Sequence, residues 1–251
     1  MGPAIGGGIM LTVGPSAGIF INVLFYVPLM IWLWKAPYAR TAARAATAGA
    51  VRGFTEIWAT MRAIAGHRTI VSMTLLAGGA SLFVGNAYQA QMPEFADHLG
   101  HGHAGVGYSM LLAADAAGAL LAGFVLESRG LLQPRPRTAF ILAMLWCCAI
   151  GGFAIAGSYP LAFALLFVAG FLQLAFAAMG QTLVQISAPA EIRGRVIGLY
   201  SMSSLGLRAF SGVTVGIMGS LIGIHWSLAL SAMALLAITA GLLAFTARVG
   251  R

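Results

Sequence analysis

Two ionisable side chains, Asp115 and Arg208, lie deep inside long apolar segments of this chain. A charge at the centre of a bilayer costs roughly 2.5–3.5 kcal/mol on insertion scales, so a membrane protein that keeps one usually uses it. An acid and a base at similar depth can form a pair, in which the acid stays ionised, or the acid alone can carry a proton. Which chemistry applies depends on whether the segments that hold them cross a membrane.

The amino-acid composition is typical of an integral membrane protein. Of the 251 residues, 60% are hydrophobic and 8% are charged, whereas soluble domains are about a quarter charged. Seven apolar stretches reach the ~18 residues that predict a membrane-spanning helix, and none shows the period-two alternation of barrel strands. With residues 1–13 as a partial N-terminal span, we predict an all-α membrane protein, a polytopic helical bundle of seven full spans. The full spans are residues 17–34, 69–91, 105–126, 138–157, 161–186, 196–222 and 226–247.

The basic residues are distributed asymmetrically. If the spans cross alternately, every Lys and Arg except Arg208 falls on one side, and the other side carries Glu94 and Asp97 without any Lys or Arg. This positive-inside pattern predicts a multi-pass protein of the cytoplasmic (inner) membrane whose C-terminus lies in the cytoplasm. A nucleic-acid-binding protein would cluster its basic residues on one soluble face, so no nucleic-acid partner is predicted.

The chain is predicted to have three parts. Residues 1–34 form a membrane hairpin, residues 35–68 a cytoplasmic connection, and residues 69–251 a six-span bundle. Within the connection, apolar residues recur at three- and four-residue spacing from Phe54 to Ile64, which predicts an amphipathic helix at the membrane interface. The alternative, a flexible linker, suits the Ala-rich residues 36–50 better.

Two motifs resemble motifs of a known protein family. The run Gly-Pro-Ala-Ile-Gly-Gly at residues 2–7, followed by a Gly-Pro turn, resembles the Gly/Pro-rich fifth span common among exporters of the major facilitator superfamily. The run Pro-Ala-Glu-Ile-Arg-Gly-Arg at residues 189–195 resembles the turn between the tenth and eleventh spans in the drug- and siderophore-exporter branch. The residues that carry these motifs are Gly2, Pro3, Gly6, Gly14, Pro15, Glu191, Arg193, Gly194 and Arg195.

The resemblance implies a fold and a function. The chain would cover the fifth to twelfth spans of a twelve-span secondary transporter and lack the first four. It would export a small amphipathic or drug-like compound by alternating access, without a cofactor, and the proton is the expected coupling ion. The alternative is a truncated remnant or a membrane scaffold without transport activity of its own, because most of the opposing half is missing from this chain.

On this family map, Asp115 lies in the eighth span and Arg208 in the eleventh. Asp115 is 11 residues from Leu126, and Arg208 is 12 residues from Val196. At ~1.5 Å rise per residue, their depths agree within a turn. We predict that they form a coupling or gating pair, directly or through water. The alternatives are separate roles in the water-filled cavity, or incidental polarity.

Side-chain amides form a second group of candidates, in the helices that correspond to the family's seventh and tenth spans. They could hydrogen-bond a substrate in the cavity, or hold neighbouring helices together at typically ~0.6 kcal/mol per contact. These amides are Asn86, Gln89, Gln173, Gln181 and Gln185.

Three histidines, His98, His101 and His103, have the chemistry of metal ligands. Their place in a Gly-rich external loop favours solvated histidines instead. The sequence also lacks the patterns of a nucleophile elbow, a phosphate-binding loop and a zinc-protease helix. We therefore predict no metal site and no catalytic residue.

Overall fold

The computed structural model describes residues 15–35, 53–100, 106–129 and 134–248. All regular secondary structure in these residues is helical. This follows from the apolar composition, because in lipid each backbone N–H and C=O group must find its partner within the protein. The chain divides into two compact units, Met1–Arg62 and Ala63–Arg251.

The first unit contains helix α1, Pro15–Lys35, and most of helix α2, Gly53–Ile64. Helix α1 is a 21-residue apolar helix that begins at a proline, a residue whose fixed φ suits the first turn. Helix α2 confirms the helix predicted from apolar spacing, while its place at a membrane interface stays a prediction. The partial span predicted for residues 1–13 and the linker predicted for residues 36–50 lie outside the described residues.

The second unit is a bundle of apolar helices. Six helical stretches of its described residues are long and apolar enough to cross a membrane, in agreement with the six spans predicted for this part of the chain. In chain order the elements are α3 Arg68–Phe83, α4 Ala87–Ala90, α5 Met92–His98, α6 Val106–Arg129, α7 Pro136–Ala154, α8 Tyr159–Ser187, α9 Arg193–Ser201, a π-helix Met202–Gly206, α10 Arg208–Ile222 and α11 Ile224–Arg248.

Helix α8 lies at the centre of the bundle. It packs against α3, α6, α7 and α9, and α7 in turn packs against α11. Large side chains fill the spaces between these helices, and Trp146, Phe140 and Phe153 of α7 are almost completely buried. The core is therefore a dense set of helix contacts around α8 and α7, and the polar groups described below lie along one side of it, next to α6 and α3.

Two of the spans are interrupted, although hydropathy predicted each as a continuous helix. The first span of the bundle breaks at Gly85, whose φ of 49° lies in the left-handed region that favours glycine. The fifth span widens into the π-helix Met202–Gly206 and resumes as an α-helix at Arg208. Hydropathy reports the composition of a segment and not its backbone geometry, so neither interruption could be predicted from the apolar runs.

Candidate functional site

Asp115 lies in the middle of α6, with 7% of its surface exposed. Its carboxylate accepts hydrogen bonds from two consecutive residues of the first span of the bundle. The Tyr88 hydroxyl oxygen lies 3.4 Å from Oδ1 and 3.3 Å from Oδ2, and Gln89 Nε2 lies 3.2 Å from Oδ2. A buried carboxylate requires such donors to offset its lost hydration. Here neutral side chains supply them.

A close crossing of α6 and α8 fixes the position of Asp115. A Cβ atom on Gly170 of α8 would lie 1.9 Å from the Asp115 carbonyl oxygen, and one on Gly118 of α6 would lie 1.9 Å from the Phe167 carbonyl oxygen. Small residues at such crossings let helix backbones approach closely. Gln173 follows Gly170 by three residues, so both lie on the same face of α8.

The break at Gly85 positions the two donors. The backbone N–H groups of Val84 and Gly85 both donate to the Ala80 carbonyl, which ends α3. Helix α4 then begins at Ala87 and carries Tyr88 and Gln89. A side chain at position 85 would also collide with the Ser211 hydroxyl of α10. Glycine therefore serves both the backbone conformation and the helix contact at this point.

Tyr88 links Asp115 to Gln173. Its hydroxyl oxygen lies 3.4 Å from Gln173 Oε1 as well as within reach of the Asp115 carboxylate. A tyrosine hydroxyl has a single proton to donate. That proton therefore points either to Asp115 or to Gln173, and the choice depends on whether the carboxyl group is ionised.

A cavity lies beside this cluster, with Gln173 and Arg208 in its wall. Its water-accessible volume is about 50 Å³, room for a few water molecules. Trp146, Phe176 and Tyr200 contribute aromatic rings to the wall. A wall of apolar rings with a few polar groups is typical of ligand-binding sites.

Arg208 follows the π-helix after one residue, Leu207. Such wide turns occur frequently at functional sites. The Ser81 hydroxyl of α3 donates to the Ser204 carbonyl within the π-helix, and the Ser211 hydroxyl donates to the Arg208 carbonyl at 2.8 Å. Arg208 is exposed and lies in the wall of the cavity.

A model of the Major Facilitator Superfamily matches residues 1–212, which is most of the chain. The chain belongs to the major facilitator superfamily. Members of this superfamily are membrane transporters and not enzymes, so the lipid bilayer and a small-molecule substrate are the partners that the family implies. No curated protein and no solved structure matches the chain.

In this superfamily member, Asp115 and Arg208 are not in direct contact. Within the described residues no ion pair joins them, and the hydrogen bonds to the Asp115 carboxylate come from Tyr88 and Gln89. The direct form of the predicted pair is thus not formed in this structure, because neutral donors already satisfy the acid. A joint role in coupling or gating stays a prediction.

The five candidate amides divide into two groups. Gln89 and Gln173 contact Tyr88 in the cluster. Asn86, Gln181 and Gln185 are exposed, and in the described part of the chain their side chains make no hydrogen bond. A role for these three in a substrate cavity stays a prediction.

None of the described motif residues contributes a hydrogen bond to the cluster. Glu191 lies in the turn before α9, and Arg193, Gly194 and Arg195 are the first three residues of that helix; all four are exposed. Pro15 is the first residue of α1. The remaining motif residues, Gly2, Pro3, Gly6 and Gly14, lie outside the described residues.

His98 is hydrogen-bonded to His225, which lies far from the other histidines in the sequence. His98 Nδ1 lies 2.9 Å from His225 Nε2, and His225 Nδ1 lies 2.6 Å from the Ala154 carbonyl oxygen. Because a carbonyl only accepts, His225 Nδ1 donates to it, and Nε2 accepts from His98. The pair joins α5 to α11. His101 and His103 lie outside the described residues, and among those described no three metal-ligating side chains come together.

Three residues of the site were missed from the sequence: Tyr88, Trp146 and Tyr200. Tyr88 had a usable signal, since it is a hydroxyl-bearing residue next to Gln89 in a predicted span. Trp146 and Tyr200 look like ordinary aromatic residues of apolar segments. Only the packing of α7, α8 and α9 brings them to one cavity.

Proposed function

We propose that this protein is a secondary-active transporter of the drug- and siderophore-exporter branch. It exports a small amphipathic, drug-like compound by alternating access, in which helical bundles rock around a site near the membrane midplane. The observation that carries the proposal is the buried cluster of Asp115, Tyr88, Gln89 and Gln173 beside an aromatic-walled cavity. Ionisable residues inside membrane spans mark proton and substrate pathways.

The proton is the coupling ion in this proposal. When Asp115 is ionised, the Tyr88 hydroxyl donates to the carboxylate. When Asp115 is protonated, its own O–H can donate to the Tyr88 oxygen, and the Tyr88 proton turns to Gln173 Oε1, 3.4 Å away. Gln173 lines the cavity. A change in the protonation of Asp115 therefore changes the hydrogen bonding of Gln173 next to the substrate, through the Tyr88 hydroxyl proton.

The proposed orientation follows from charge. The Arg-rich connections predict a protein of the cytoplasmic membrane with a cytoplasmic C-terminus. A fluorescent protein fused after Arg251 should mature and fluoresce, and alkaline phosphatase at the same position should be inactive. The reverse pattern contradicts the orientation.

Transport is tested with the purified chain in proteoliposomes under an imposed pH gradient. Two dyes serve as probes: ethidium, an amphipathic cation, and Lucifer yellow, an amphipathic anion. We expect gradient-dependent movement of at least one dye by the wild-type protein and its loss in Asp115→Asn. Asp97→Asn is the matched control, because Asp97 is an exposed acid outside the spans.

Two results would contradict the proposal. One is an absence of gradient-dependent movement of either dye by the wild-type protein. The other is a rate in Asp115→Asn equal to that of Asp97→Asn, which would remove Asp115 from coupling.

A further inference from the structure

The polar atoms of the cavity that remain without partners are hydrogen-bond donors. Trp146 is 1% exposed, and its Nε1 has no hydrogen-bond partner. The Arg208 side chain, with five N–H donors, forms no ion pair within the described residues. In contrast, the Ser81 hydroxyl is used by the Ser204 carbonyl, and the Tyr200 hydroxyl by the Ala177 carbonyl at 3.5 Å.

Within the described residues, no acidic side chain forms an ion pair with Arg208. The sequence contains six acidic residues, and Asp115 is the one that lies inside a predicted span. Its carboxylate is occupied by Tyr88 and Gln89 and forms no ion pair with Arg208. The other five flank the apolar segments: Glu56, Glu94, Asp97, Glu127 and Glu191.

A guanidinium without an ion-pair partner inside a span and an unpaired buried N–H both cost free energy, and a bound acceptor would reduce this cost. Phe176 and Ala177 add apolar surface to the same cavity. A ligand that satisfies these donors and covers the apolar surface would carry an anionic head and an apolar or aromatic body. Guanidinium groups bind oxyanions through two parallel hydrogen bonds.

We propose that the cavity binds an amphipathic organic anion, a carboxylate or sulfonate, with its head at Arg208 and within reach of the Trp146 N–H. This inference rests on the proposed function, because it names the substrate class of the same cavity. It goes beyond it in giving the substrate a charge and in assigning Arg208 the recognition of that charge.

Binding is tested by isothermal titration of the purified full chain in detergent with three probes of nearly equal shape: 4-phenylbutyrate, 4-phenylbutanamide and 4-phenylbutylamine. We expect the carboxylate to bind on the order of tenfold more tightly than the amide, from the charge-assisted hydrogen bonds, and the amine to bind most weakly. Arg208→Gln should abolish the preference for the carboxylate, and Arg208→Lys should retain part of it.

Two controls separate recognition from folding. Arg137→Gln removes a charge from an exposed arginine in the first turn of α7 and should leave the carboxylate preference unchanged. Trp146→Phe keeps the aromatic body, removes the N–H, and should weaken carboxylate binding more than amide binding. Retained amide binding in Arg208→Gln shows that the cavity is still folded.

The inference is overturned if the carboxylate binds no more tightly than the amide, or if its advantage survives in Arg208→Gln. It also falls, while the transport proposal stands, if proteoliposomes move ethidium and not Lucifer yellow. If neither dye moves and the carboxylate preference persists, the transport proposal falls and anion binding stands.

Discussion

Replacement of Gly170 by alanine tests how closely the α6–α8 crossing controls the site. The new Cβ would lie 1.9 Å from the Asp115 carbonyl oxygen, and real Cβ atoms essentially never come within 3.0 Å of another heavy atom. The helices must therefore separate by at least 3.0 − 1.9 = 1.1 Å at this point. Overpacking of this kind typically costs about 1–3 kcal/mol.

The same displacement affects the chemistry. The Asp115 carboxylate is held at 3.2–3.4 Å by Tyr88 and Gln89, near the upper limit for a hydrogen bond, so a change of about 1 Å in these distances would break the bonds. We expect Gly170→Ala to lower the thermal unfolding midpoint in detergent and to lose gradient-dependent dye movement.

Gly123→Ala is the matched control for this substitution. Its Cβ would meet Leu174 of α8 at 3.6 Å, an ordinary van der Waals contact in the same helix pair. Alanine also has the higher helix propensity, by about 1 kcal/mol, so this variant should be at least as stable as the wild-type protein. Equal stability and equal transport in the two variants would refute the account of the crossing.

Three further substitutions test neighbouring parts of the structure. Tyr88→Phe removes the hydroxyl that links Asp115 to Gln173, so dye movement in proteoliposomes should lose its dependence on the pH gradient; unchanged dependence would exclude the link. Gly85→Ala places a side chain at a φ of 49° and against Ser211, and thermal unfolding should show a loss of stability of about 1–3 kcal/mol. Gly216→Ala, with open space around its Cβ, should leave the stability unchanged. Equal effects of the two substitutions would contradict this explanation. His225→Ala removes two hydrogen bonds between helices and should destabilise the protein by about 1–2 kcal/mol. His98→Ala removes one of these bonds and should destabilise it less. A lower unfolding midpoint for His98→Ala than for His225→Ala would refute the pairing.

The spans could be predicted from the sequence because hydropathy reports directly on solvent. The segments predicted at residues 138–157, 161–186 and 226–247 correspond to Pro136–Ala154, Tyr159–Ser187 and Ile224–Arg248. Lipid imposes helical structure on any long apolar run, because backbone groups have no water to bind there. The ends differ by a few residues, since prolines and the turns between spans set them.

The partners within the site could not be predicted in the same way. Asp115 and Arg208 were recognisable individually, because a charge in an apolar run is conspicuous. That Asp115 is bound by Tyr88 and Gln89 depends on the positive φ of Gly85 and on the close crossing at Gly170. These features arise from packing between segments distant in sequence, on which hydropathy carries no information.

We expect proton movement to be coupled to substrate movement through Asp115. The direct measurement is the external pH of a weakly buffered suspension of proteoliposomes, recorded with a glass electrode after Lucifer yellow is added. The wild-type protein and Asp97→Asn should change the external pH at a rate that follows dye movement, and Asp115→Asn should leave it constant. Dye movement by the wild-type protein without a pH change, or an equal pH change in Asp115→Asn, would contradict the account.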